Sequence, residues 1–112
     1  MHENEVEKMM IATTRVTVLP ESRKEFFQTI SPLTERIRKE KGCLNYRLYE
    51  EAGHENSLVV IEEWAGESQW EEHRNGHNFA VLYGLLSVLS IPSKIDFKLL
   101  TQVSDPERLK GS

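Results

Sequence analysis

Residues whose side chains could take part in chemistry are concentrated between positions 61 and 83 of the sequence. This stretch, IEEWAGESQWEEHRNGHNFAVLY, contains two tryptophans, two histidines and a tyrosine. A histidine changes its charge near neutral pH, so His73 is a candidate for proton transfer, with a role as a surface or capping residue as the alternative. Tryptophan rings can stack on a bound flat molecule. We therefore expect this stretch to line a functional site.

Glu62 and Trp64 end a predicted strand, and strand alternation places both on the same face as Leu58 and Val60. If helices cover that face, Trp64 forms the wall of a cavity and Glu62 lies in a poorly solvated place. Burial makes a carboxyl group hold its proton more tightly, so Glu62 could then act as an acid or a base. The alternative is that Trp64 belongs to the core and that Glu62 bonds to a helix terminus.

His73 and His77 are four residues apart, which is the spacing of paired metal ligands on a helix. Asn75-Gly76 lies between them and predicts a helix break, which would separate their faces. The single cysteine, Cys43, lies in a separate predicted strand. We therefore expect no metal site, and we interpret Cys43 as a packing residue.

Phe79 and Tyr83 share one apolar helical stripe with Leu86, so we expect Tyr83 to point inward. A buried tyrosine hydroxyl needs a hydrogen-bond partner, which could be an oxygen of a ligand or a backbone carbonyl. Tyr46 and Tyr49 lie on opposite faces of a predicted strand, so at most one of them can share the side of Trp64.

The pattern of apolar residues predicts four strands and three helices around these positions. The strands cover residues 9–19, 43–50, 57–64 and 94–103. The first helix begins at a Ser22–Glu25 capping box and ends at Gly42, and Pro32 should kink or split it. A short helix begins at a second capping box, Ser68–Glu71, and a third opens at position 77 or 78.

This β-α-β-β-α-β order is typical of ferredoxin-like α+β folds with a four-stranded antiparallel sheet. The helices cover one face of such a sheet, so the other face, with Ile11, Arg15 and Leu19, is bare. A partly apolar face of this size usually contacts another subunit, so we expect a homodimer. The domain spans residues 9–103, between a flexible N-terminal arm, 1–8, and a polar C-terminal tail, 104–112.

The composition narrows the class of protein. A chain of 112 residues with 38% hydrophobic and 29% charged residues predicts one globular domain. The net charge of −4 argues against nucleic acid and anionic membranes as partners, and no apolar run reaches the roughly 18 residues of a membrane span. The acidic first residues do not form a signal peptide, and a single cysteine fits a reducing compartment, so we expect a cytoplasmic protein. No phosphate-binding loop, G-x-S-x-G or C-x-x-C motif is present.

Three short motifs occur in a specific order within this predicted fold. They are Lys41-Gly42-Cys43-Leu44-x-Tyr46, Glu62-x-Trp64 and His73-x-x-x-His77. Together they resemble the antibiotic biosynthesis monooxygenase (ABM) domain family, whose members form dimeric α+β barrels. The resemblance covers about residues 10–103 and implies the same fold.

The resemblance implies several activities, because some ABM members oxidise quinols or anthrones with O2 and no cofactor, while others degrade haem or isomerise a phosphorylated sugar derivative. The haem-degrading members use an asparagine, a tryptophan and a histidine where this chain has Thr14, His73 and Tyr83, which argues against haem. The small quinol-monooxygenase-like members are more similar, and they indicate Trp64, His73 and His77 as pocket residues. An asparagine of some anthrone oxidisers is absent, since Val60 stands at the nearest position.

The resemblance and the residues together favour a cofactor-independent monooxygenase that acts on a small quinol-like or anthrone-like aromatic. In this hypothesis His73 is the base, Trp64 is the stacking wall, and Tyr83 or His77 donates a hydrogen bond to the substrate anion. Further substrate contacts are expected from Glu62, Thr14 and Phe79. The alternatives are an isomerase of a small hydroxy-ketone that uses the same base, and a non-catalytic small-molecule binder.

The bare sheet face generates a prediction about assembly. In solution at micromolar concentration, light scattering should return about twice the 13.0 kDa of one chain, because a lone four-stranded sheet would expose a partly apolar face to water. A mass equal to that of one chain would contradict the homodimer.

Overall fold

Four strands form one antiparallel sheet and three helices pack against it in the structure, a computed structural model that describes residues 9–91 and 96–102. The elements are β1 (Met9–Thr17), α1 (Arg23–Arg38), β2 (Cys43–Glu50), β3 (Ser57–Trp64), α2 (Glu67–Arg74), α3 (His77–Leu89) and β4 (Asp96–Gln102). The strand order β2-β3-β1-β4, with every neighbour antiparallel, confirms the predicted ferredoxin-like arrangement. Among the helices of these ranges, none is long and apolar enough to cross a membrane.

The core lies between one face of the sheet and the helices. Alternate residues of β3 are buried, namely Leu58, Val60, Glu62 and Trp64. β1 contributes Met10, Ala12 and Val16 to the same face, and Val18, just after its end, is also buried. The facing apolar residues are Phe26, Ile30, Leu33 and Ile37 of α1 and Leu82, Leu86 and Leu89 of α3. A carboxyl group, that of Glu62, is therefore built into an otherwise apolar layer.

The opposite face of the sheet carries side chains that are half-buried or exposed in the single chain. Ile11 is half-buried, and Arg15 is exposed and forms an ion pair with Glu51. Association through this face stays a prediction. The predicted first strand is two residues longer than β1, and the ends of the predicted last strand, like the predicted arm 1–8 and tail 104–112, lie outside the described residues.

Both predicted capping boxes are wrong. α1 has Ser22 at its N-cap without a side-chain capping bond, because Ser22 closes a 3-10 turn, Pro20–Ser22, and does not adopt the extended backbone that capping requires. The N-cap of α2 is Gly66, two residues before the predicted Ser68. Ser68 thus lies inside the first turn, where its hydroxyl contacts the side chain of Gln69.

Pro32 does not split α1, which runs without interruption from Arg23 to Arg38. A proline removes one backbone hydrogen bond, here to the carbonyl of Gln28. Pro32 and Gln28 are both exposed, so the freed carbonyl lies on the side of the helix that water can reach. Two residues further on, the buried Thr34 hydroxyl donates to the carbonyl of Ile30 at 2.7 Å. Exposure of this proline explains why the helix continues through it.

Gly42 lies in the turn after α1 and contacts the start of α2. Its φ of 85° is in the left-handed region, as predicted, but the prediction that it ends the first helix is wrong, since α1 ends at Arg38. The carbonyl of Gly42 accepts a hydrogen bond from the amide of Ala65 at 2.8 Å. A Cβ atom at position 42 would lie 2.3 Å from Cγ and 2.6 Å from Cβ of Gln69. α2 therefore packs directly on the backbone of this glycine.

This contact predicts that Gly42→Ala destabilises the fold more than Gly53→Ala does. Both glycines have a φ near 85°, at 85° and 83°, so both variants should lose about 1–2 kcal/mol from the left-handed backbone. Only position 42 has a clash, since a Cβ at Gly53 meets no atom within 4 Å, and the overpacking should remove a further ~1–3 kcal/mol. Guanidinium unfolding measures both, and equal free energies of unfolding would show that α2 does not depend on this close approach.

Candidate functional site

A cavity of about 510 Å³ lies between the sheet and the helices α2 and α3. Its volume is within the range of small-molecule binding sites. Most of its wall is apolar, and the polar groups are few. Its lining residues are Thr14, Tyr46, Val60, Glu62, Trp70, Arg74, Phe79, Leu82, Tyr83 and Leu86. β1, β2 and β3 all contribute to this wall, so the cavity depends on the register of the sheet.

Glu62 brings a titratable group to the inner wall of the cavity. It is 4% exposed, and its Oε1 atom accepts a hydrogen bond from the indole N–H of Trp64 at 2.7 Å. Burial raises the pKa of the Glu62 carboxyl, whereas the Trp64 hydrogen bond and the nearby His73 act in the opposite direction. The expectation of a poorly solvated Glu62 is confirmed. Its hydrogen-bond partner is an indole on the same strand face, not a helix terminus.

His73 lies behind Glu62 and does not reach the cavity. Only 2% of it is exposed, its ring stacks on that of Trp64 with centroids 4.5 Å apart, and its Nδ1 atom is 3.0 Å from Oε1 of Glu40. Its Nε2 atom is 3.7 Å from Oε1 of Glu62 and has no hydrogen-bond partner. The interpretation of His73 as a surface or capping residue is therefore wrong, because the face of α2 that carries it packs on the sheet.

The two tryptophans have different surroundings. Trp64 is fully buried, with one ring face against His73, and it is separate from the lining of the cavity. Trp70 lines the cavity instead, and the guanidinium carbon of Arg74 lies 4.9 Å from the centroid of its ring. The ring that a ligand can contact is thus Trp70, on α2, while Trp64 holds Glu62 in position.

The predicted residues of α3 divide into two groups. Phe79 lines the cavity as expected, and so does Tyr83, whose ring stacks on Phe79 with centroids 6.2 Å apart. However, Tyr83 is 65% exposed, so the expectation that it points inward is wrong: it follows Leu82 by one helical step and lies at the edge of the buried stripe. His77 is exposed and does not line the cavity.

The predicted helix break between the two histidines is confirmed, since α2 ends at Arg74 and α3 begins at His77. The two imidazoles therefore do not share a helix face. Within residues 9–91 and 96–102, no group of three His, Cys, Asp or Glu side chains could hold a metal ion. Cys43 is half-buried and packs against the core, as expected.

Four residues of this region were not singled out as site residues by the sequence. Tyr46 pairs directly with Glu62 across β2 and β3, and its buried hydroxyl has no hydrogen-bond partner. Burial raises the pKa of this hydroxyl above its usual range, so it stays protonated and can donate. Trp70 and Arg74 are four residues apart, and helical periodicity could have placed both beside the cavity. Glu40 is 33 residues from His73 in sequence, and no local pattern indicates their contact.

The arrangement combines a buried carboxyl group, a hydroxyl donor and an apolar volume of ligand size. Such a combination can move a proton to or from a small apolar molecule and can donate a hydrogen bond to the anion that results. Thr14 on β1, Arg74 on α2 and Tyr83 on α3 bring further polar groups to the wall.

Comparison with known proteins places the chain among related sequences. The family model "Antibiotic biosynthesis monooxygenase" matches residues 9–82. The Bacillus subtilis protein named "Putative monooxygenase YcnE" is 32% identical over 71 residues, which are 63% of this chain and 75% of that protein.

Solved structures share the fold. A conserved protein from Methanosarcina mazei is 25% identical, with a TM-score of 0.77 over 85% of this chain and 93% of its own. SnoaB, a cofactor-independent oxygenase from Streptomyces nogalater, is 19% identical, with a TM-score of 0.75 over 88% of this chain and 96% of its own. The family model covers more than half of the sequence, from β1 to the middle of α3. On the strength of that match, this chain belongs to the antibiotic biosynthesis monooxygenase family.

Proposed function

We propose that the protein is a cofactor-independent monooxygenase that oxidises a small electron-rich aromatic, of the quinol or anthrone type, with O2. Membership of the monooxygenase family supports the reaction class. The observation that carries the proposal is the Glu62 carboxyl, buried in the wall of an apolar cavity of about 510 Å³. A substrate of this type supplies its own electrons once it has lost a proton, so the protein needs to bind it, remove the proton and stabilise the anion.

In this proposal Glu62 removes the proton. It is the carboxyl group that lines the cavity, whereas His73, the base expected from the sequence, lies behind it. A quinol hydroxyl has a pKa near 10, like that of tyrosine, and an ordinary glutamate has a pKa near 4.3, so the transfer is roughly 8 kcal/mol uphill in water. Burial raises the pKa of Glu62 and reduces this difference.

Stabilisation of the substrate anion offsets the remaining free-energy cost of the proton transfer. Tyr46 is the donor best placed to provide it. Its hydroxyl lies in the cavity wall beside Glu62, is buried and has no hydrogen-bond partner among the described residues. A donor that is already desolvated and unpaired gains a full hydrogen bond when the anion forms. Tyr83, a donor in the sequence-based hypothesis, lines the outer part of the cavity, and His77 lies outside it.

The reaction balances with O2 as the oxidant. Loss of the proton gives an anion that passes electrons to O2, one oxygen atom enters the product, and the other leaves as water. The aromatic rings of Trp70 and Phe79 provide flat contacts for such a substrate, and the exposed Arg74 above Trp70 adds a positive charge that favours an anion. No electron carrier is required by this scheme.

A second candidate uses the same two groups without O2. Glu62 could take a proton from a carbon next to a carbonyl of a small hydroxy-ketone while the Tyr46 hydroxyl donates to that carbonyl, which would isomerise the ketone. Oxygen consumption separates the two reactions, because only the oxidation uses O2.

Glu62→Gln is the direct test of the proposed base. The change keeps the side-chain shape and an oxygen that can accept from Trp64, but it removes the basic carboxylate. Oxygen uptake with a panel of quinols and anthrones should fall by about 10²- to 10⁴-fold. In the parent protein the rate should fall as pH drops through the raised pKa of Glu62, because only the carboxylate accepts a proton.

Glu72→Gln is the matched control, because Glu72 carries the same charge but is exposed on α2. It should retain the parent rate. If Glu62→Gln oxidises every substrate as fast as the parent does, Glu62 is not the base; if the parent consumes no oxygen with any of them, the monooxygenase proposal itself fails.

Tyr46→Phe should separate activity from stability. Removal of a buried hydroxyl without a partner leaves the free energy of unfolding unchanged or raises it by up to about 1 kcal/mol. The rate of oxidation should nevertheless fall by roughly 10²-fold or more, the usual effect of removing one donor to an oxyanion. Tyr49→Phe, on the same strand but exposed, is the control for both measurements. An unchanged rate in Tyr46→Phe would assign anion stabilisation to another group.

A further inference from the structure

Three titratable side chains form a row that leads away from the cavity. Glu62 lines the cavity, His73 lies 3.7 Å behind it, and Glu40 lies 3.0 Å beyond His73. The side chains of Glu62 and His73 are almost fully buried, whereas that of Glu40 is 24% exposed. The row therefore connects the cavity wall to a partly solvated carboxylate at the end of α1.

The hydrogen bonds fix the tautomer of His73. The carboxylate of Glu40 can only accept, so the short contact at 3.0 Å requires a proton on Nδ1 of His73. In the neutral imidazole, Nε2 is then a bare acceptor. It is buried, has no hydrogen-bond partner, and has Oε1 of Glu62 as its polar neighbour at 3.7 Å. A buried acceptor without a partner is rare in proteins, and this one faces the group that we propose takes the substrate proton.

Glu40 is itself held in place from a second helix. Its Oε2 atom accepts a hydrogen bond from the side-chain amide of Asn78 at 2.8 Å, and Oδ1 of Asn78 accepts from Nε of Arg36 at 3.3 Å. One carboxylate thus contacts α2 through His73 and α3 through Asn78. This double contact keeps both the position and the accepting role of Glu40 constant.

We propose that His73, positioned by Glu40, accepts from Glu62 the proton that the substrate gives up and returns it when the second oxygen atom leaves as water. This proposal rests on the proposed function and adds the fate of the proton to it. The substrate O–H bond breaks and an O–H bond forms on Glu62; that proton then moves to Nε2 of His73, which restores the Glu62 carboxylate. The imidazolium keeps its Nδ1–H bond to Glu40. The proton returns by the same route, so no net charge enters or leaves the site.

The charges around His73 favour this role. An imidazolium at this place lies between the carboxylates of Glu40 and Glu62, which both stabilise its positive charge. Storage on the imidazole keeps the proton out of the cavity while O2 reacts with the substrate anion. Glu62 alone would hold the proton against the anion that it has just formed.

The other titratable groups near the row do not compete for this proton. Among the described residues, Tyr46 and Cys43 on β2 also interact electrostatically with Glu62. Burial raises the pKa of the Cys43 thiol to about 11 and also raises the pKa of Tyr46, so both keep their own protons at neutral pH. Arg38 donates to the backbone carbonyl of Tyr46 and to Glu35, on the outer side of the helix.

Glu40→Gln tests the row without changing any residue of the cavity wall. A glutamine can still accept from Asn78 with its oxygen, and its amide then faces Nδ1 of His73 as a donor. His73 must then carry its proton on Nε2, where it blocks transfer from Glu62. We expect kcat for quinol oxidation to fall at least tenfold while KM stays within about twofold, because no group that contacts the substrate has changed.

The pH profile distinguishes this role from a structural one. The charge of Glu40 is one of the causes that raise the pKa of Glu62, so the acid limb of the kcat profile should move to lower pH in Glu40→Gln. Glu72→Gln, which removes the same charge from an exposed position of α2, should leave kcat and the limb unchanged. A lower kcat with an unmoved limb would mean that Glu40 only supports the fold.

Nitrogen-15 NMR of the His73 ring reports its tautomer in the absence of substrate turnover. The parent protein should show the Nδ1–H tautomer near neutral pH, and Glu40→Gln should show the Nε2–H tautomer. If the parent oxidises quinols and Glu62→Gln does not, but Glu40→Gln matches the parent, the proton store is wrong while the proposed function stands. If the parent oxidises none of the quinols, the proposed function fails. An Nε2–H tautomer in the parent would contradict the hydrogen bond between His73 and Glu40, whatever the activity.

Discussion

A carboxyl group buried in an apolar layer is the constraint on which the rest of this structure depends. An isolated carboxylate in such a place is unfavourable by several kcal/mol, so its neighbours must either donate to it or let it keep a proton. β3 provides the first answer, because Trp64 is two residues from Glu62 and therefore lies on the same face, where its indole N–H donates at 2.7 Å. The second answer comes from α2, which places the ring of His73 against both residues.

This requirement fixes several elements at once. α2 must pack closely enough for His73 to contact Trp64, and the end of α1 must bring Glu40 to the far side of the imidazole. α3 completes the arrangement through Asn78, which holds the second oxygen of Glu40. The three helices are thus joined by one polar row, while their apolar residues fill the space around it.

Much of the fold could be predicted from the sequence because its signals are local. The alternation of apolar residues predicts β2 and β3 with their observed bounds, and it places Glu62 beside Trp64. Asn75-Gly76 marks the break between α2 and α3. The predicted capping boxes are wrong because a serine followed by a glutamate three residues later is compatible with other helix starts. α1 starts after a 3-10 turn that ends at Ser22, and α2 starts after Gly66.

The site was harder to predict, because it depends on contacts between distant parts of the chain. A helical stripe identifies which residues of α3 face the sheet but not which edge of the stripe stays uncovered, so Tyr83 was expected inside. The burial of His73 depends on how close α2 lies to the sheet, and its contact with Glu40 spans 33 residues. The family relationship carries the fold, whereas the reaction and the roles of individual side chains have to be argued from this chain's own geometry.

The bare backbone at Gly42 has a consequence for the chemistry of the site. Glu40 is two residues before this glycine, and Gln69, which packs on it, is four residues before His73 on the same helix. The distance between Nδ1 of His73 and Oε1 of Glu40 therefore depends on the contact between Gln69 and Gly42. The rate of proton transfer falls steeply as the distance between donor and acceptor grows. A single methyl group at position 42 would push α2 away from this glycine and so lower that rate, without contacting any titratable group.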